Sequence, residues 1–223
     1  MSEQNGTGTI VMVGTARGGF IFNREPGGTE WSMSGPSHRG SQVYHLILDP
    51  RDRQMYAAVN SIFWGPEISR SSDMGATRTE SSKEPRFKQD SGETVKAMWN
   101  IAPGRPGETG VLYAGAAPAS LWKTTDSGDT WSEIGSVNEH PSLPEWEGGG
   151  GALCLHTILI DPERPGRMYA GISSVGLFRT DDGGETWQLR STGIEPAIPP
   201  RLDEHEGRCV HKAVLDPTNS ETI

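Results

Sequence analysis

Thr124-Thr125-Asp126-Ser127-Gly128-Asp129-Thr130-Trp131 is a phrase that this chain writes more than once. It returns as Thr180-Asp181-Asp182-Gly183-Gly184-Glu185-Thr186-Trp187 and, in a worn copy, as Ser71-Ser72-Asp73-Met74-Gly75-Ala76-Thr77-Arg78, where Arg78 takes the Trp place. Gly27-Gly28-Thr29-Glu30-Trp31 occupies the same slot earlier, stretched by one residue. Self-similarity of this kind marks a repeat architecture. Asp and Ser/Thr side chains bond backbone N–H groups two residues on, and Gly takes a positive φ without steric cost, so the phrase closes a tight hairpin. The Trp that follows is a large apolar plate for the gap between neighbouring sheets. Asp73, Asp126, Gly128, Trp131, Asp182, Gly184 and Trp187 are therefore read as scaffold.

The words around each phrase repeat too. Ile158-Leu159-Ile160-Asp161-Pro162 is followed by Met168-Tyr169-Ala170-Gly171 and by Gly176-Leu177-Phe178-Arg179-Thr180, an order of strand, turn, strand, turn, strand, hairpin, strand. The Asp-Pro copies are Asp49-Pro50, Asp161-Pro162 and Asp216-Pro217, with Ala102-Pro103 in the second slot, so the repeat steps from 49 to 102, 161 and 216. That period suits one four-stranded propeller blade.

The pattern S/T-x-D-x-G-x-T-W is similar to the Asp-box, or bacterial neuraminidase repeat. The whole chain resembles Asp-box β-propellers labelled sialidase-like or glycosyl-hydrolase-like, related in repeat style to xyloglucanases and sortilin. The resemblance implies an all-β fold, a β-propeller of four-stranded antiparallel blades. On this reading residues 1–223 are a single propeller domain or part of one. A partial blade at 9–34 lacks its inner strand, complete blades lie at 43–82, 95–135 and 153–191, and 208–223 begin the next blade. Thr218 to Ile223 match the run-in Glu163 to Met168, which favours an incomplete ring of six or seven blades. The alternative is a closed four-bladed ring in which residues 208–215 complete the first blade.

Composition agrees. The chain has 29 Gly, 16 Pro and 33% hydrophobic residues, the turn-rich profile of many short strands, and no long stretch of 3.6 periodicity competes. A net charge of −9 argues against a nucleic-acid groove or an anionic membrane surface as partner. Met1-Ser2-Glu3-Gln4-Asn5-Gly6 has neither the basic nor the apolar region of a secretory leader, so a cytoplasmic location is expected.

Topology says where function would sit. The hairpins and the Asp-Pro turns share one face of a propeller, while the loops between blades and between strands two and three share the other, around the channel mouth. Those loops, at 35–42, 83–94, 136–152 and 192–207, are long and idiosyncratic, as a binding face often is. Three inner strands begin with histidine: Tyr44-His45, Cys154-Leu155-His156 and Cys209-Val210-His211. A period of two puts Cys154 with His156 and Cys209 with His211 on one face. His156 and His211 stand five places before their Asp, whereas His45 stands four before Asp49 and needs a bulge to point the same way. Sulfur and imidazole converging on an axis would suit a transition metal such as zinc, with His156, His211, Cys154 and Cys209 as ligands. Packing and hydrogen bonding account for the same residues equally well. A Cys154–Cys209 disulfide is not expected, since facing sheets stand about 10 Å apart.

Tyr44, Trp64, Trp99 and Trp146 are the aromatic candidates for stacking on a sugar ring, each of which would also serve as a loop plug. The catalytic set that a sialidase needs is missing: there is no Arg-Ile-Pro before the first box, and Glu84-Pro85-Arg86-Phe87 is no substitute. Resemblance to xyloglucanases implies a cleft between two propellers, more than 223 residues make. Carboxylates do pair on the variable face, Glu145 with Glu147 and Asp203 with Glu204 and Glu206, but acidic loops are usually just solvated. Two classes of function stay open: a propeller binding a small molecule, glycan or metal at its mouth, glycoside-hydrolase-like when complete, or a scaffold that docks proteins. A ligand pocket would gather His45, His156, His211 and Trp99 around one concavity.

Overall fold

Alternating apolar runs cut by Gly, Pro and Asp give strands of five to seven residues joined by turns, and these, with three outer strands of two residues, assemble into four antiparallel sheets in chain order. The computed structural model describes residues 8–142, 146, 152–195, 208–219 and 222–223. The first sheet has three strands, β1 (Thr9–Thr15), β2 (Gly18–Arg24) and β3 (Ser32–Ser37). The second comprises β4 (Gln42–Leu48), β5 (Met55–Ser61), β6 (Gly65–Ser71) and β7 (Thr79–Glu80). The third runs β8 (Ala97–Pro103), β9 (Leu112–Ala117), β10 (Ser120–Thr124) and β11 (Ser132–Glu133), followed by one helical turn, α1 (Gly135–Asn138). The fourth is β12 (Leu155–Ile160), β13 (Met168–Ile172), β14 (Gly176–Thr180) and β15 (Gln188–Leu189). Among the described residues no helix is long and apolar enough to cross a membrane.

Each sheet packs on the next, and burial follows from that stacking. The second strands β5, β9 and β13 are covered on both faces and are buried almost throughout, which is why they read as small apolar runs rather than as alternation. The outer strands β7, β11 and β15 are two residues long, which leaves little exposed edge. Glycine is needed where sheets approach most closely: a Cβ on Gly115 would meet the Leu155 carbonyl of the next inner strand, and one on Gly14 would meet that of Val43.

The repeated turns are built alike. Asp126 Oδ1 accepts from the Thr130 N–H at 2.9 Å and from the Thr124 hydroxyl at 2.7 Å, while the Thr124 oxygen accepts from the Gly128 N–H at 3.0 Å. Asp182 repeats these bonds with Thr180, Gly184 and Thr186, and Asp73 with Ser71, Gly75 and Thr77. Trp131 (1% exposed) and Trp187 (7%) close the gaps before their sheets, each indole N–H donating back to a serine of the preceding element, Ser81 and Ser136. Trp31, in the stretched first slot, stays 45% exposed. On the same face two arginines tie sheets together. Arg51 donates to the carbonyls of Glu108 and Val111 at 2.6 and 2.7 Å, and Arg105 to those of Asp161 and Arg164 at 3.2 and 2.8 Å.

Three readings from the sequence change. The second Asp-Pro slot is filled by Gly104, not Ala102: Gly104 N–H donates to the Val111 carbonyl, as Asp49 does to Gln54 and Asp161 to Arg167. Residues 208–215 do not form the first strand of a blade. Val210 is buried against Tyr169 and Leu177, and the Thr157 hydroxyl donates to the His211 carbonyl at 3.1 Å, but a ladder needs a partner strand and none stands there among the described residues. The closed four-bladed ring is not seen either, because among the described residues the first sheet keeps three strands and makes its principal contacts with the second sheet, not the fourth.

Candidate functional site at the channel mouth

Three β-bulges at one register build the site. The β4–β5 ladder skips between Val43 and His45, β8–β9 between Met98 and Asn100, and β12–β13 between Leu155 and Thr157. The skipped residues are Tyr44, Trp99 and His156, each five places before its turn residue, Asp49, Gly104 or Asp161, and each pushed out of the ladder by the bulge. His211 holds the same place before Asp216. The four side chains form one row: Tyr44 stacks on Trp99 with centroids 4.1 Å apart, Trp99 meets His156 edge-on at 4.8 Å, and His156 stacks on His211 at 4.7 Å. Asn60 holds the strand behind Trp99, its amide accepting from Met98 N–H at 3.0 Å and donating to Met98 carbonyl at 3.2 Å. Sequence reasoning missed Asn60, whose only signal was a buried amide at the end of an apolar strand.

Trp99, His156 and His211 line a concavity of about 400 Å³ together with Lys96, Cys154 and Cys209. His45 does not join them. The bulge expected for it exists, but it extrudes Tyr44 and leaves His45 in the ladder opposite Ala58, where its Nδ1 accepts from Ile101 N–H at 3.1 Å. Burial, with the charge of Lys212 second, brings the His45 pKa down to about 4. His156 is also lowered, by burial first and by His211 second.

The zinc set is not assembled. Among the described residues no three His, Cys, Asp or Glu side chains converge as metal ligands. The Cys154 thiol is turned to the Ala152 carbonyl at 3.0 Å, and burial pushes its pKa up to about 11, so it is a thiol rather than a ready thiolate ligand. The Trp99 indole N–H acts against that rise, although among the described residues Trp99 Nε1 is buried without a hydrogen-bond partner. Both cysteines are free.

The two remaining tryptophans go elsewhere. Trp146 packs on Phe178, centroids 5.4 Å apart, and donates to Ser142 Oγ at 2.9 Å, so it plugs the core between the third and fourth sheets. Trp64, 86% exposed beside Ile62 and Phe63 on the β5–β6 turn, borders a second cleft of about 1050 Å³ with Glu67, Glu84, Arg86 and Phe87. Glu84 is pushed up to about 7 by burial, in spite of the Ile68 N–H that it accepts at 3.2 Å, with Glu67 adding to the rise. Glu67 is raised by burial and by Glu80. This carboxyl group was not legible in the sequence, where Glu67 and Glu84 belong to different elements. The acidic residues singled out there, Glu145, Glu147, Asp203, Glu204 and Glu206, lie outside the described residues.

No family model matches the chain. It is similar to a probable oligoxyloglucan-reducing end-specific xyloglucanase of Neosartorya fischeri, 28% identical over 153 residues, 64% of this chain and 17% of that protein. A xyloglucanase of Acetivibrio thermocellus is 27% identical over 190 residues, 78% of this chain and 22% of that one. The chain thus spans 17 to 22% of the length of these curated relatives. Among solved structures, a GH74 enzyme from Niastella koreensis superposes with a TM-score of 0.51 at 17% identity, covering 82% of this chain and 28% of that one. An ancestral GH74 enzyme gives 0.53 at 11% identity, covering 85% and 23%. YCF48 from Cyanidioschyzon merolae gives 0.51 at 13% identity, covering 86% and 59%. These likenesses agree with the sheets described above: the fold is that of a β-propeller, and the curated relatives make the chain glycoside-hydrolase-like.

Proposed function

We propose that this is an Asp-box β-propeller that binds a glycan at its channel mouth. The observation that supports it is the row Tyr44–Trp99–His156–His211, four ring side chains in contact, the first three at one register of consecutive inner strands, beside a concavity lined by Trp99, whose indole N–H has no partner among the described residues. Aromatic faces stack on sugar C–H faces, and a buried donor without a partner is relieved by a ligand hydroxyl. Two free thiols, one buried and one exposed, suit a reducing compartment such as the cytoplasm. The similarity to xyloglucanases makes xyloglucan oligosaccharides the first ligands to try. Titration calorimetry with these oligosaccharides should show binding that weakens when Trp99 is changed to Phe, which keeps the ring and removes the N–H. Equal affinity in both proteins would count against the site.

A second reading, protein docking, is favoured by Ile62, Phe63 and Trp64, three consecutive apolar side chains exposed on one turn of the same face. It predicts that serine at all three positions removes a partner while leaving glycan binding intact.

A further inference from the structure

The stack of sheets carries a half-built blade at each end, and the halves are complementary. At one end stands β1, which holds the place of the second strands β5, β9 and β13. A Cβ on Gly14 of β1 would meet Val43, just as one on Gly115 of β9 would meet Leu155 and one on Gly171 of β13 would meet Val210, so the three glycines share one register. Strands β5, β9 and β13 each pair with an inner strand, whereas among the described residues β1 pairs only with β2. Val11 and Val13 are consequently exposed, while their counterparts Met168 and Ala170 are buried. Trp31 is exposed for the same reason: Trp131 and Trp187 close the gaps before their sheets, and among the described residues no sheet stands before the first.

At the other end, residues 209–215 lie where an inner strand belongs and lack a second strand among the described residues. Val210 sits against Gly171, and His211 continues the ring row from His156 at 4.7 Å. Asp216 already makes the turn that follows an inner strand. Its N–H donates to the Thr222 carbonyl at 2.9 Å and its Oδ1 accepts from the Thr218 N–H at 2.7 Å, as Asp161 does with Arg167 at 3.1 Å and Glu163 at 2.9 Å. Val214 has no strand beside it among the described residues and is exposed, although its counterpart Leu159 pairs with Tyr169.

We propose that a second copy of this chain completes both halves: residues 209–215 of one copy pair antiparallel with β1 of the other, forming a hybrid blade with its β2 and β3. The register follows from the fourth sheet, where Thr157, Ile158, Leu159 and Ile160 pair with Gly171, Ala170, Tyr169 and Met168. By the same offsets Lys212 pairs with Gly14, Ala213 with Val13, Val214 with Met12 and Leu215 with Val11. An open edge of this kind is a template for strand addition, and apolar cross-strand pairs stabilise the ladder. Trp31 of one copy then closes on the fourth sheet of the other, as Trp187 closes on the third. The first sheet makes its principal contacts with the second, whereas residues 209–215 pack on the fourth, so the occupant is another copy's β1 and not the chain's own. Each copy brings three four-stranded sheets and the two halves of a further blade, so two copies related by a two-fold axis close a ring of eight, within the range of propellers.

Cross-linking tests the register. In a Cys209→Ser background, which leaves the buried Cys154 as the only native thiol, Val13→Cys chains are mixed with Ala213→Cys chains and oxidised. Facing residues of an antiparallel pair stand within disulfide reach, whereas neighbours along a strand point to opposite faces. The mixture should therefore give a covalent dimer several-fold more readily than Met12→Cys with Ala213→Cys. Light scattering should find the unmodified chain dimeric at about 100 µM, and Val214→Lys, at an exposed position, should raise the dimer dissociation constant about tenfold with circular dichroism unchanged. A monomer at that concentration, or equal cross-linking from positions 12 and 13, would overturn the inference. With both cysteines on one chain, a covalent dimer supports the second copy, and a cross-linked monomer would show residues 209–215 closing on the chain's own β1 and overturn it.

Discussion

Trp187 shows how one residue holds two sheets. Its indole belongs to the buried cluster between the third and fourth sheets that includes Val137 and Met168, with Ile134 packed against that cluster, and its N–H reaches Ser136 Oγ at 3.1 Å. Trp187→Ala should cost about 3–5 kcal/mol in urea unfolding, the usual penalty for emptying an aromatic site, whereas Trp31→Ala at its half-exposed place should cost much less. Asp126 makes a prediction in pH. Burial is the largest single influence and pushes its pKa up, but the hydroxyl and N–H of Thr130 and the Thr124 hydroxyl together outweigh it and hold the carboxyl at about 2, below its ordinary 3.8. A depressed folded-state pKa stabilises above the ordinary value and is lost as pH falls through the folded one. Melting temperature should therefore drop between pH 4 and 2, and Asp126→Asn should show a shallower drop from a lower start; parallel curves would refute the assignment. Both residues were legible in the sequence, because a hairpin's bonds run between neighbours in the chain.

At the scale of elements, the inner strands were only half legible. Their apolar runs gave the ladder, and their bulges did not, since a bulge is a mismatch with a partner strand and leaves no mark in either strand alone. That is why the bulge called for at His45 was given the wrong effect, since it extrudes Tyr44 into the place equivalent to His156, and why Ala102-Pro103 looked like the turn that Gly104 makes. Gly115 tests the contact behind the site. A methyl there would be driven onto the Leu155 carbonyl, one residue before the His156 bulge. Gly115→Ala should destabilise by about 1–3 kcal/mol, the range for overpacking, and should weaken ligand binding more than Gly107→Ala, whose added carbon meets nothing within 4 Å. Comparable binding losses in the two variants would show that the inner-strand contact does not position the mouth.

For the whole molecule, stability follows stacking. Sheets that touch only their neighbours behave as a chain of coupled units, and Arg51 and Arg105 supply part of that coupling through carbonyls of the next sheet. The double change Arg51→Met and Arg105→Met should broaden thermal unfolding, and a calorimetric trace as sharp as the parent's would exclude that role. Two concavities also belong to the whole molecule, a largely apolar mouth lined by residues of the third and fourth sheets and a larger cleft that gathers Glu67, Glu80, Glu84 and Glu93 with Arg86 and Lys88. The sequence by itself determined the sheet type, the hairpins and the buried Trp positions, because each rests on hydrogen bonds or periodicity within some fifty residues. Only the tertiary structure decided that Tyr44, Trp99, His156 and His211 form one row, that Trp146 turns into the core, and that Glu67 and Glu84 share a cleft. Those facts depend on how one sheet is offset against the next, and that offset is set by close backbone approach and bulges, which no single segment encodes.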